Sequence, residues 1–145
     1  MEEKRPKVGF GVMVLKKNKV LLGLRNPDPV KASSELHGEG TWTMPGGKLH
    51  FGETLIEGAK RELYEETGLH GETFEVVSVT DDIIPETHYL TIGLVCQKFS
   101  GEIKVKELRE ITEWRWFSFN HLPKWIYPPS LKVIKNYKKG MIYGA

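Results

Sequence analysis

The chain has 145 residues, of which 39% are hydrophobic and 28% charged, and its formal net charge is +2. That length supports one domain with a buried core and excludes a disordered chain, while the small net charge excludes a protein built for bulk binding to nucleic acid or to a membrane surface. No apolar run approaches the ~20 residues of a bilayer span, and the start, Met-Glu-Glu-Lys-Arg-Pro-Lys, carries no apolar segment of the secretory kind, so the cytoplasm is the expected location.

In chain order, Val8–Leu15 and Val20–Leu24 are apolar runs around Lys16-Lys17-Asn18-Lys19, which predicts a β-hairpin. The polar stretch from Arg25 to Gly40 reads as a long functional or mobile loop. Thr41–Met44 is expected to be extended, because Pro45 disfavours a helical Met44, and Pro45-Gly46-Gly47 reads as a sharp turn. Leu55–Thr67 is the clearest helix. Thr54 and Glu57 form a capping box ahead of it, and Gly68 is a left-handed stop. Phe74–Thr80 and Tyr89–Phe99 are rich in β-branched and aromatic residues and read as strands, with Cys96 as a core thiol in the second. One cysteine excludes an internal disulfide. Ser100-Gly101 makes a turn, Glu113–Phe117 alternates like a strand with one wet face, and Leu131–Lys139 reads as a second helix ended by Gly140. With no repeat or linker, residues 1–145 are expected to form one α+β domain.

The charges of the first helix are oddly placed. At about 100° per residue, with Leu55 at zero, Ala59, Leu63 and Ile56 fall within about the first 100° and define a core stripe. Glu66 falls at about 20° and Glu62 at about 340°, inside or beside that stripe, with Glu65 further round, next to Arg61. Like charges at i,i+4 repel by a few tenths of a kcal/mol in water, and partial burial costs several kcal/mol more. One arginine does not neutralise three glutamates, whereas a divalent cation does. Mg²⁺ is the expected ion, with Mn²⁺ as a substitute, because it prefers oxygen ligands and is commonly shared with substrate phosphates. The competing reading is an ordinary acidic helix with a solvated face. Ahead of the helix, Gly46-Gly47 lets the main chain approach a ligand and Glu53 brings another carboxylate to the helix start.

Together these residues resemble the Nudix box: Gly47, five residues, Glu53, seven residues, then Arg61-Glu62-Leu63-Tyr64-Glu65-Glu66-Thr67-Gly68-Leu69. Every defining position is filled. The resemblance implies the Nudix fold, a mixed β-sheet between helices, and hydrolysis of a diphosphate linkage in a nucleotide by attack of water on phosphorus. It further implies Glu62 and Glu66 as direct metal ligands, with Glu65 contributing directly or through water and a Gly47 or Gly46 carbonyl completing the shell. Glu53 is then a supporting residue or the base, and Arg61 orients the carboxylates.

More loosely, Val12–Arg25, Thr41–Gly52, His88–Ile92 and Glu113–Trp116 resemble small MutT-like nucleoside-triphosphate pyrophosphatases. That likeness makes Glu107 and Glu110 candidates for a late metal ligand, and many such relatives are homodimers. Here Tyr89–Val95 and Trp114–Phe119 are the strands expected to support a second copy. Arg25 and His88 are candidates to meet the substrate, beside Gly46 and Gly47; the alternatives are a surface arginine and a structural histidine. Trp42, Trp114 and Trp116 are expected to anchor packing. Trp125 and Tyr127 are expected either to stack a base or to lie in the core. Pro85 resembles a feature of ADP-ribose pyrophosphatases and keeps that substrate class as the alternative, while a domain that binds a nucleotide without catalysis is the alternative of another class.

Overall fold

The computed structural model describes residues 3–32 and 34–144. In chain order the elements are β1 (Lys7–Lys16), β2 (Lys19–Arg25), α1 (Pro29–Ala32), β3 (Trp42–Thr43), β4 (Gly46–Lys48), α2 (Leu55–Thr67), β5 (His70–Ile84), β6 (Thr87–Ser100), β7 (Ile111–Ser118) and α3 (Pro128–Lys139). The strands form a mixed sheet. Its path is β3-β2-β1-β6-β5, with β7 on β2 and β4 on β1, and β1 and β6 run parallel.

Alternation along β1 explains why helices cover both faces. Phe10, Val12 and Val14 pack with Ala59 and Leu63 of α2, whereas Met13 and Leu15 pack with Val133 and Ile134 of α3. Fully buried side chains such as Leu63 and Leu94 each contribute about 1.5–3 kcal/mol. Trp114 and Trp116 lean on the first cluster and Trp42 on the second, as packing anchors. Cys96 is buried, as expected. The capping box at Thr54 and Glu57 is formed, and Gly68 ends α2 in the left-handed conformation.

Several boundaries differ from the sequence reading. Pro45-Gly46-Gly47 is not a sharp turn: β3 pairs with β2, β4 pairs with β1, and Met44-Pro45 carries the chain from one partner to the other. Lacking an N–H, Pro45 loses no donor at this switch, and its carbonyl accepts from Val12 N at 2.7 Å. The stretch from 25 to 40 is not wholly loop, because α1 forms within it, with Asp28 accepting from Val30 N. Both long strands run past their expected ends and meet at the tight turn Pro85-Glu86. α3 starts earlier, since prolines suit the first helical positions, where no N–H partner is needed. Ile56 was expected in the core stripe and is instead 38% exposed, because the sheet covers only the narrower arc of Ala59, Leu63 and Glu66. The stretch 89–95 was expected to offer a surface to a second copy. It lies between β1 and β5 with both edges paired, so that surface is used inside the fold.

Candidate active site

Gly46 and Gly47 bring α2 and the sheet together. Neither has a left-handed backbone; their requirement is closeness. A Cβ on Gly46 would collide with the Phe10 carbonyl of β1, and one on Gly47 would stand 2.5 Å from Glu62 Oε2. With no side chain in the way, Gly46 N donates to Glu66 Oε2 at 2.7 Å. Strand backbone and helix carboxylates therefore meet without an intervening layer.

Arg61 organises one side of this cluster. Its Nε and Nη2 donate to Glu53 at 3.1 and 2.8 Å, its Nη1 to Glu62 at 2.7 Å and to Glu65 at 3.3 Å, and its Nη2 also to the Lys48 carbonyl at 3.2 Å. Glu53, which also accepts from His50 N, is held down at about 2, first by the Arg61 hydrogen bonds and then by the His50 amide.

Glu66 is different. Only 8% exposed, it pairs with no lysine, arginine or histidine among the described residues. Burial, followed by the charge of Glu62, pushes its carboxyl far above the usual range. Burial also raises Glu62, against the pull of Arg61. Glu107 is pushed up to about 7 by burial and then by Glu110, with Glu62 and Glu65 adding to it. Glu107 and Glu110, far from α2 in the chain, thus join its carboxylates around one opening.

No three His, Cys, Asp or Glu side chains among the described residues close into a ready-made ion cage. What the fold offers is an open half-shell of carboxylates, in which buried Glu66 pairs with no cationic side chain among the described residues. A hard divalent cation fits such a set, because it accepts oxygen ligands and leaves positions for water and phosphate.

The carboxylates border a cavity of about 300 Å³. Its walls come from β1 (Gly9–Gly11), the Thr43-Met44 crossover, Tyr89 and Thr91 of β6, and Tyr127 and Ser130 near the start of α3. Arg25 lines it too, donating Nη2 to the Ala32 carbonyl at 2.9 Å and lying 5.0 Å over the Tyr127 ring. Its Nε is buried without a partner among the described residues. Tyr127, half expected in the core, borders the cavity and shares a 2.9 Å hydrogen bond with Ser34.

His88, a candidate to meet the substrate with a structural histidine as the alternative, does not line the cavity. It is exposed, one residue out of phase with Tyr89 and Thr91, and strand alternation turns it to the other face. Trp125 was expected to stack or to be buried; it is 65% exposed and does not line the cavity. Pro85 sits at the β5–β6 turn, also away from the cavity. Sequence reasoning missed Glu35, at the cavity wall, which joins Lys7 at 2.7 Å, Lys48 at 2.8 Å and the Tyr89 hydroxyl. Those partners, Lys48 first, hold Glu35 down at about 2. It lies in the irregular polar stretch, where no periodicity marks a residue. Thr91 and Ser130 were missed for another reason: a hydroxyl on a buried strand or helix face carries no motif.

Comparison with known proteins gives the family. The NUDIX domain pattern matches residues 5–137. A protein of Methanocaldococcus jannaschii named ADP-ribose pyrophosphatase is 32% identical over 92% of this chain and 74% of its own length. The mouse oxidized purine nucleoside triphosphate hydrolase is 31% identical over 77% of this chain and 66% of its own. Among solved structures, a MutT NUDIX hydrolase from Burkholderia pseudomallei superposes with a TM-score of 0.82 at 27% identity, over 92% of this chain and 98% of that one. Nudix hydrolases generally use divalent metal ions, and Glu66 of α2 has no cationic partner among the described residues. With the pattern matched from β1 into α3 and the box glutamates gathered on one helix, this chain belongs to the Nudix hydrolase family.

Proposed function

We propose that the protein hydrolyses a nucleoside triphosphate to a monophosphate and pyrophosphate with Mg²⁺. The observation that carries this reading is the cavity of about 300 Å³ with the carboxylate cluster at its border. That volume is at the small end for ligand sites, and the cleft is open to solvent on the carboxylate side, where a phosphate chain can extend. Glu62 and Glu66, with Glu65, Glu107 or Glu110 and the Gly47 carbonyl, are the proposed Mg²⁺ ligands. When bound, the ion supplies charge neutralisation and acidifies water for attack on phosphorus.

The remaining roles follow from hydrogen bonding. Glu53 has both oxygens engaged by Arg61 and His50 and is a poor proton acceptor, so it positions Arg61. Arg61 in turn fixes Glu62. Glu65 has only the longer contact to Arg61 and is the better candidate to take the proton of the attacking water. Arg25, whose Nε has no partner among the described residues, is the proposed substrate contact deeper in the cavity.

The archaeal relative's name supports ADP-ribose as the second reading. Incubation with Mg²⁺ and a panel of nucleoside triphosphates, deoxynucleoside triphosphates, ADP-ribose and 5′-triphosphorylated RNA, followed by separation of products, decides between them. Release of AMP and ribose phosphate, with triphosphates intact, overturns the first reading. A cytoplasmic location is proposed on the lone buried thiol. A homodimer is proposed on Val76 and Ile83, exposed on β5 at one end of the sheet path, and light scattering at monomer mass removes it.

A further inference from the structure

Behind the cavity wall made by β6 lies a buried charge that the hydrolytic chemistry does not use. Asp82 of β5 is 5% exposed and pairs with Lys132 of α3, whose Nζ donates to Oδ1 at 2.9 Å and to the Asp81 carbonyl at 2.7 Å. The other carboxylate oxygen, Oδ2, accepts from Thr91 Oγ1 at 2.6 Å and, more weakly, from Thr80 at 3.4 Å. Thr91 is 7% exposed and lines the cavity.

A hydroxyl has one proton and two lone pairs, and a carboxylate only accepts. The Thr91 proton is therefore committed to Asp82, and what Thr91 has left to offer a ligand is an acceptor. Ser130, also on the wall, behaves similarly. It accepts from Met44 N at 3.1 Å and shares a 3.2 Å bond with Thr43, whose own proton reaches the Met44 carbonyl. Ser130 then donates to Thr43, so its proton is spent within the wall. A ligand carbonyl turned to this wall meets lone pairs, whereas an amino group meets acceptors.

We propose that Thr91, its hydroxyl polarity set by Asp82, selects nucleotides whose base presents an exocyclic amino group. Thr91 is the specificity-determining residue and Asp82 its positioning residue. The inference rests on the nucleotide reading above, but it concerns recognition of the base rather than cleavage.

Asp82→Asn makes the sharpest test. Lys132 needs an acceptor, so the new amide turns its oxygen to Lys132 and its NH₂ to Thr91. That reverses the Thr91 hydroxyl and directs its proton at the ligand. Calorimetric titration of the full chain with AMP and IMP, in Mg²⁺, compares a base amine with a carbonyl at the same position. The expected result is about tenfold tighter binding of AMP, the scale of one well-made hydrogen bond against an unmade one. Thr91→Ser keeps that ratio, Thr91→Val abolishes it, and Asp82→Asn shifts it toward IMP. A ratio taken on one preparation is insensitive to partial loss of fold, which a merely structural role for Asp82 would produce. Equal affinities, a preference for IMP, no binding of either, or an unchanged ratio in Thr91→Val overturns the inference. Turnover of ATP and ITP separates it from the functional reading: hydrolysis without discrimination sinks this inference alone, and discrimination in the titration without hydrolysis sinks the hydrolytic reading alone.

Discussion

Gly47 and Glu62 are in such close approach that a single methyl group on the strand would stand 2.5 Å from the helix carboxylate. Gly47→Ala is therefore expected to push Glu62 out of its place beside Arg61. Because the backbone at Gly47 is not left-handed, the change acts through this contact alone. A displacement of about 1 Å at a reacting centre costs about 100-fold in rate, while overpacking costs about 1–3 kcal/mol of stability. Steady-state hydrolysis with Mg²⁺, beside thermal denaturation, measures both. Unchanged turnover shows that Glu62 has no fixed role.

Glu66→Gln separates charge from shape. The amide oxygen still accepts from Gly46 N, but the buried charge is gone. Turnover is expected to fall by at least about 100-fold, since phosphate charge is less well neutralised. Without metal, the variant is expected to melt a few degrees higher, because an uncompensated buried carboxylate is removed. Calorimetry in EDTA and in Mg²⁺ tests this; a variant that melts lower in EDTA contradicts it.

The same carboxylates fix a pH dependence. Glu62, Glu66 and Glu107 titrate higher in the folded protein than in the unfolded chain, with Glu107 at about 7. The folded state then binds more protons, so this contribution to stability is present below about 4.5 and is lost as pH rises through 7. Glu35 and Glu53, held at about 2, act oppositely: their contribution is lost as pH falls from about 4.5 toward 2. In EDTA, stability is expected to decline from mildly acid to alkaline pH, and Mg²⁺ is expected to raise Tm more at pH 8 than at pH 5. An equal Mg²⁺ effect at both values speaks against these glutamates as its ligands.

Arg61→Lys retains the charge and loses the fork that holds Glu53 through two nitrogens while reaching Glu62. A loss of about 1–2 kcal/mol in stability and a clear fall in kcat, with KM little changed, are expected, because this guanidinium does not line the cavity. Full activity in the lysine variant indicates that charge alone suffices.

His88→Ala and Trp125→Ala serve as controls. Both side chains are exposed and neither borders the cavity. Hydrolysis kinetics of both variants are expected to match the parent within error, and a tenfold rise in KM for either places the substrate elsewhere.

Much of the fold was legible along the chain. The α2 cap residues, the glycine that stops it and the angular position of Glu62 and Glu66 follow from spacing, because a helix converts sequence separation directly into direction. The strands announced themselves by composition, and their ends did not, since pairing with a neighbour extends a strand beyond its apolar run. His88 illustrates the limit: whether it or Tyr89 faces the ligand depends on a one-residue phase that only the register against β1 supplies.

The residues of α2 by themselves determined that carboxylates would be driven against an apolar stripe, which is local geometry, while the phosphate chemistry was implied by the resemblance of residues 47–69 to the Nudix box. Which distant residues share the cavity was decided only by tertiary structure. Glu35, Thr91, Glu107 and the Tyr127–Ser130 pair come from four separate parts of the chain, and no local rule relates those parts. They meet because β1 exchanges β2 for β4 as its partner while keeping β6 on its other edge, a pairing driven by burial of the whole sheet rather than by any short segment of it.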